Sequence, residues 1–253
     1  TVATAYHHLK KHGVRMPPQM GPIVLILTGH RLEDGKMCNG AGQVPLTYLK
    51  SITPFFCTSP TSLLYPEHED LIDTSYLQLR FALENRKVSY IGALVITLGT
   101  TMFDYLEENW EMLCDDIEKG IINPNIKITP DLKKEYSKKL KPNPKRAAEL
   151  RKEFEKGFET PIGPRIWPRL TWAYGMIGSN LKVYVEKFRR SVGNIPLHNM
   201  GFAAAEGFFS MATELDVDDG VLLPQCLFFE FLPVDDDAED GNEDVTPLLI
   251  DQL

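Results

Sequence analysis

Val88-Ser89-Tyr90-Ile91-Gly92-Ala93-Leu94-Val95-Ile96 is the stretch that decides the fold. It is a continuous apolar run, rich in β-branched and aromatic residues, set off by Arg86 and Lys87. Such a run predicts a buried strand. Immediately after it, residues 100–119 carry Phe103, Leu106, Trp110, Leu113 and Ile117 at helical spacing, and Gly120 stands where a C-cap glycine belongs. A buried strand feeding a long amphipathic helix is the first half of a βαβ unit.

The same alternation extends outward. Upstream, residues 70–86 read as an amphipathic helix with Leu71, Thr74, Leu77, Phe81 and Leu83 on or beside one face. Residues 22–27 form a short apolar run that predicts a buried strand, with a buried helix left open by periodicity. Residues 1–12 read as a helix end closed by Gly13. Residues 29–45 are loop-like around the Asp34-Gly35 turn signal, and Pro54, Pro60 and Pro66 break any long element over 53–66. Downstream, residues 170–177 predict a strand. Residues 181–190 predict a helix burying Leu181, Tyr184, Val185 and Phe188, and 195–202 and 222–232 predict two further strands. The fold class is therefore α/β, with a largely parallel, layered sheet and flanking helices. Ligands of such sheets bind beyond the carboxyl ends of the strands, which directs attention to the loops after Ile96, Ile177 and Phe202.

Two segments depart from this pattern. Residues 123–160 are Lys/Glu-rich and punctuated by Pro124, Pro130, Pro142 and Pro144; they predict two short helices, about 130–140 and 144–157, as a solvated surface excursion. Residues 235–245 form an acidic loop. The chain carries a net charge of −8, which disfavours a general nucleic-acid binder. Its charge is polarised: 127–156 is rich in Lys and Arg, none follows Arg190, and Asp and Glu crowd 214–244. Two solvated surfaces, mutual steering and a partner contact all fit that pattern.

At 43% hydrophobic and 25% charged residues, the 253-residue chain suits a packed domain rather than a disordered one. Cys38, Cys57, Cys114 and Cys226 form no CxxC pair, which argues against a disulfide scaffold or zinc ribbon and favours a reducing, cytoplasmic home. The longest apolar runs, 23–27 and 88–98, are too short to span a bilayer. The chain starts at Thr1, not Met, as a fragment or processed form does.

Gly201-Phe202-Ala203-Ala204-Ala205-Glu206-Gly207-Phe208-Phe209 is the most informative stretch for chemistry. Small residues at a strand end let backbone amides approach a phosphate, and a following carboxylate suits Mg²⁺. Phe202 suits stacking on a base. A packing turn between two elements fits the same residues. His7, His8 and His12 lack the extra ligands of a metal site, and Asn39-Gly40-Ala41-Gly42 lacks the lysine of a phosphate loop. Asp216, Asp218 and Asp219 lack EF-hand spacing, and His198, within a predicted strand, reads as a core histidine.

Several blocks in order resemble the Gretchen Hagen (auxin-responsive) family of acyl acid-amido synthetases, within the acyl-adenylating superfamily. They are Asn109-Trp110 in the helix that ends at Gly120-Ile121, Lys141-Pro142-Asn143-Pro144, Arg165-Ile166-Trp167-Pro168, Gly201 to Phe209, Leu222-Leu223-Pro224, and Phe229-Glu230-Phe231-Leu232-Pro233. The likeness runs from about residue 37 to the C-terminus. It implies the central part of a large adenylating domain over 1–253, with the family's phosphate loop, hinge aspartate and small C-terminal domain outside the chain. It implies a two-step ligase: ATP-dependent adenylation of a small carboxylic acid, then amide formation with an amino acid. By position, Phe202 covers the adenine, the backbone of Ala204 and Ala205 borders the α-phosphate, Ala203 lies with them at the nucleotide, and Glu206 binds Mg²⁺. Gly178, Ser179 and Asn180 face the nucleotide, and Ile96 and Thr97 lie near the acyl group. The family commonly has serines at 204 and 205 and tyrosine at 202. Those departures leave open a non-catalytic, ligand-binding relative of the same fold.

Overall fold

The computed structural model describes residues 2–11, 13, 23–24, 30–31, 37–38, 57–64, 72–178, 181–204, 207–217, 219–225, 227–232 and 246–252. Four parallel strands form the central sheet: β1 (Ile23–Val24), β4 (Tyr90–Val95), β5 (Trp172–Met176) and β6 (Leu197–Asn199), in the order β1-β4-β5-β6. A short antiparallel pair, β2 (His30–Arg31) and β3 (Met37–Cys38), flanks the predicted Asp34-Gly35 turn. The register fixes the sheet's geometry. Ile23 and Val24 lie opposite Gly92 and Ala93, Tyr90 to Gly92 opposite Trp172 to Tyr174, and Ala173 to Gly175 opposite Leu197 to Asn199.

The described helices are α1 (Val2–Lys11), α2 (Thr74–Glu84), α3 (Ile96–Lys119), α4 (Pro130–Ser137), α5 (Pro144–Phe154), α6 (Ile162–Ile166) and α7 (Lys182–Val192), with 3-10 turns at Thr61–Leu64 and Ile250–Gln252. The hub is α3, which packs on β4, β1 and β5 and collects α2, α5 and α7 around itself. Its stripe is the predicted one: Phe103, Leu106, Leu113 and Ile117 are buried, and Trp110 stacks against Phe154 of α5. Gly120 ends the helix in the left-handed region (φ 69°, ψ 35°), and its N–H returns to the carbonyls of Asp116 and Ile117. A Cβ there would lie 2.2 Å from Pro142 N, so the cap also needs glycine for space. Buried Arg80 donates to the carbonyls of Asp116 and Ile121, supplying donors at the helix end.

Four sequence expectations are corrected. The segment 123–160 is not merely solvated: Tyr136, Ala147, Leu150 and Phe154 are buried, and so is Arg146. That guanidinium donates to Leu83 O and Ile166 O at 2.7 Å each, stitching α5 to the ends of α2 and α6. The Trp167 indole donates to Ala82 O at 3.0 Å, so two long-range side chains cap α2. Tyr184 does not join the buried stripe of α7; it is exposed, and Phe188 and Val192 take the core positions. The single strand expected over 195–202 is two strands in different sheets. The strand expected over 222–232 reduces to the end of β9 (Gly220–Leu222) and an isolated bridge from Phe231 to Leu248. Pro224, which has no N–H for a ladder, follows β9 by two residues.

The break in 195–202 falls at Gly201. Gly201 adopts φ +92°, and a Cβ on it would lie 2.1 Å from Ser210 O. The chain turns out of the parallel sheet there and enters an antiparallel sheet, β7 (Phe202–Ala204), β8 (Gly207–Ala212) and β9, in that order. Nothing in the sequence periodicity announced this second sheet.

Candidate functional site at the carboxyl edge of the sheet

The parallel register brings three strand ends together. Val95 lies opposite Met176 and Gly175 opposite Asn199, so Ile96, Ile177-Gly178 and Met200-Gly201 follow one another along one edge. This is the edge where α/β sheets hold ligands. The first turn of α3 opens on it. Its N-cap position, Val95, makes no side-chain capping hydrogen bond, and the first turn contains no acidic residue. The first N–H groups and positive dipole end of a 24-residue helix therefore face that edge with no cap from the N-cap side chain itself.

Ile96 and Thr97 differ in element from the sequence reading. They open α3 rather than close the strand. Ile96 is fully buried in the core cluster, whereas Thr97 is half-buried and its carbonyl accepts from Thr100 Oγ1 (2.6 Å) and Thr101 Oγ1 (3.1 Å). Gly178 is half-buried, with its carbonyl accepting from Leu181 N at 3.2 Å just before α7. Ser179 and Asn180 lie outside the described residues.

Phe202, Ala203 and Ala204 form β7, not a loop. Phe202 pairs with Ser210, Ala203 with Phe208 and Ala204 with Gly207. Ala205 and Glu206, which connect those last partners, lie outside the described residues, so the metal assignment at Glu206 rests on the family resemblance. Among the described residues no group of three or more His, Cys, Asp or Glu could hold a metal ion. The Phe202 side chain is 60% exposed, an unusual state for a phenylalanine next to a core strand. Its ring has Phe209 on one side, with centroids 5.0 Å apart, and Phe209 in turn meets Phe229.

Two residues absent from the sequence-based list build this corner. Asn199, buried at the end of β6, accepts the Gly201 N–H on its Oδ1 at 3.1 Å. Ser210 accepts the Phe202 N–H on Oγ at 3.3 Å. The signal for the first was present: asparagine two residues before glycine is an Asx-turn pattern. No pattern pointed to Ser210, because its role depends on the hairpin register. Nearby, His198 is buried beside the ring of His8, centroids 5.8 Å apart, and its Nδ1 has no hydrogen-bond partner among the described residues. Burial first, then the neighbouring His8, pulls its pKa down to about 4. It is a neutral core imidazole, as the sequence suggested, and not a base poised near neutrality.

The fold is that of the acyl acid amido synthetases. An acyl acid amido synthetase, GH3.15, superposes with a TM-score of 0.72 at 20% identity, covering 92% of this chain and 44% of that one. The AtGH3.15 acyl acid amido synthetase in complex with 2,4-DB gives 0.71 at the same identity, with 92% and 41% covered. The chain belongs to the GH3 family: the model of the GH3 family N-terminal domain matches residues 25–197. A jasmonoyl–L-amino acid synthetase of Oryza sativa subsp. japonica is 32% identical over 139 residues, 53% of this chain and 24% of that protein. An indole-3-acetic acid-amido synthetase of Oryza sativa subsp. indica is 28% identical over 184 residues, 71% of this chain and 30% of that protein. This chain thus spans about a quarter to a third of the length of these two relatives. No helix among the described residues is long and apolar enough to cross a membrane.

Proposed function

We propose that this chain is part of an acyl acid amido synthetase that joins a small carboxylic acid to an amino acid at the expense of ATP. The observation that carries the reading is the family match over 25–197, which includes β4, β5 and the start of β6 at the edge described above. In the reaction, a carboxylate oxygen attacks the α-phosphorus of ATP and pyrophosphate leaves. The amine nitrogen of the amino acid then attacks the acyl carbon, loses a proton, and AMP leaves.

The chain's residues suit such a task by position rather than by nucleophilicity. The first turn of α3, with no cap from its N-cap side chain, offers N–H groups and a positive dipole end to developing negative charge. The exposed Phe202 ring, backed by Phe209, offers one flat face to the adenine. In this reading, which here rests on the family resemblance, Ala203, Ala204 and Ala205 border the phosphates, and Gly178, Ser179 and Asn180 face the nucleotide. Glu206 is the Mg²⁺ ligand in this reading, a hard oxygen donor for a hard cation. Thr97 borders the acyl group, with Ile96 shaping that end from the core. The jasmonoyl and indole-3-acetic acid synthetases among its relatives make jasmonic and indole-3-acetic acids the first substrates to try.

ATP–pyrophosphate exchange, run with a panel of aromatic and aliphatic acids on the complete protein that carries this chain, tests the reading. Acid-dependent exchange that is lost in Glu206→Gln is the expected result. No exchange with any acid, from protein shown to be folded, overturns it in favour of a non-catalytic relative with Ala204 and Ala205 in place of phosphate-binding hydroxyls.

A further inference from the structure

Asp216 stands out by its backbone. Among the described residues it is the one non-glycine with positive φ, 62°. A side chain there costs free energy that glycine would not, and aspartate is among the few that tolerate the region. Burial does not hold it in place, since its side chain is 47% exposed. The sequence sets it beside Asp218 and Asp219 in a turn without EF-hand spacing, so calcium does not explain it. Such an outlier persists where its surroundings fix it, and outliers of this kind gather at functional sites.

What fixes Asp216 is β6. The Leu197 N–H donates to Asp216 Oδ1 at 2.9 Å, and the Asp216 N–H donates to Leu197 O at 2.8 Å. Leu215, buried just before it, bridges antiparallel to His198. The same Oδ1 accepts a guanidinium N–H of Arg189 from α7, and that guanidinium also donates to Ile195 O at 3.2 Å. In the described sheet β6 is the last strand of the order β1-β4-β5-β6. Its outer edge is thus met by a two-residue clasp, Leu215 and Asp216, rather than by a further long strand.

The clasp is one end of a closed ring of contacts. Ser210 lies within β8, and Asp216 follows the end of that strand by four residues. Ser210 Oγ accepts the Phe202 N–H, and Ser210 O crowds the Gly201 position. Residues 210–216 therefore grip 197–202 at both ends, Asp216 on Leu197 and Ser210 on Phe202. Between the grips, the Met200 N–H donates to Gly175 O at 3.0 Å and Asn199 Oδ1 accepts the Gly201 N–H. With both ends held, the point where the chain leaves the parallel sheet is set, and the stance of the exposed Phe202 ring is set with it.

We propose that Asp216 is a positioning residue for the nucleotide: its clasp on Leu197 sets where β6 ends, and so where Phe202 presents its ring. The proposal rests on the reading of Phe202 as the platform for adenine. Asp216 acts through the strand and touches no reacting atom. A clasp with a structural role alone changes stability and leaves the kinetics of the folded protein as they were. A positioning clasp raises the KM for ATP at unchanged kcat, because a flat ring contact to adenine is made equally in the ground and transition states.

Two variants of the complete protein that carries this chain separate these roles. Asp216→Gly takes φ 62° without the side-chain penalty, so it removes the carboxylate while relaxing the backbone, and circular dichroism melts check that it is folded. Asp216→Asn tolerates the same angle and keeps Oδ1 for the Leu197 N–H. Expected for Asp216→Gly are faster amide hydrogen exchange over 197–202 without nucleotide, and a KM for ATP raised about five- to tenfold at unchanged kcat in pyrophosphate exchange. Asp216→Asn recovers most of both. Phe202→Ala is measured beside them. If it raises the KM and Asp216→Gly does not, the role of Asp216 is overturned while the adenine reading stands. If Phe202→Ala leaves the KM unchanged, the adenine reading fails and takes the proposal with it. Unaltered amide exchange over 197–202 in Asp216→Gly, or an equal rise in KM in Asp216→Gly and Asp216→Asn, overturns the clasp itself.

Discussion

Gly201→Ala tests the turn on which the candidate site is built. Two costs are separable. Alanine at positive φ costs about 1–2 kcal/mol by itself. The second is collision: the new Cβ would sit 2.1 Å from Ser210 O and 2.9 Å from Met211 Cα, closer than real Cβ atoms approach a backbone. Relieving it means moving β8 away from β7. That breaks the Phe202 N–Ser210 Oγ bond and strains the Gly201 N–Asn199 Oδ1 bond, each worth about 1 kcal/mol. The total is about 3–4 kcal/mol. Gly157 supplies the internal control. It has φ +81° and nothing within 4 Å of a built Cβ, so Gly157→Ala carries the strain alone, about 1–2 kcal/mol. Urea unfolding of both variants gives the difference, expected at about 2 kcal/mol. Should β7–β9 open as a local unit, the same difference appears as lost amide protection over 207–212 rather than in the midpoint. Equal stability and equal protection in the two variants would refute the argument that the close approach to Ser210, and not the backbone angle, makes glycine necessary.

Four further outcomes follow from the same contacts. Arg146→Met strips the donors from Leu83 O and Ile166 O, partly offset by removing a buried charge, for a net loss of about 2–4 kcal/mol in urea; a loss under about 1 kcal/mol would show that water reaches that seam. Tyr76→Phe removes the hydroxyl that donates to Asp116 Oδ2 (2.8 Å) and accepts from Asn123 N (2.9 Å), costing about 1–3 kcal/mol, and an unchanged midpoint contradicts the network. His198 takes up its proton only near pH 4 when folded but near 6.5 when unfolded, so stability is full above about pH 6.5 and falls by roughly 2–3 kcal/mol towards pH 4. His198→Leu flattens that slope, and an identical slope in the variant means other groups carry it. Phe202→Ala, at a 60% exposed position, leaves the unfolding midpoint within about 0.5 kcal/mol of the parent but raises the KM for ATP in the exchange assay; an unaltered KM removes Phe202 from the nucleotide face.

What the sequence determined by itself was everything that depends on near neighbours along the chain. The run at 88–96 became β4, the stripe of Phe103, Leu106, Leu113 and Ile117 became the buried face of α3, and Gly120 became its cap, because period and capping are local properties. The proline-led helices α4 and α5 were legible for the same reason, with Thr129 and Asn143 as side-chain caps. The parallel sheet and its carboxyl edge followed from the order of elements. Tertiary structure alone decided the rest. Whether Arg146 is a surface cation or a buried stitch depends on carbonyls 63 and 20 residues away. Whether Tyr184 or Val192 faces the core depends on how α7 is rotated against α3. Whether 195–202 is one strand or two depends on Ser210, which reaches Gly201 only once the hairpin has formed. Side-chain burial and strand partnership are set by atoms distant in sequence, and a local pattern carries no record of them.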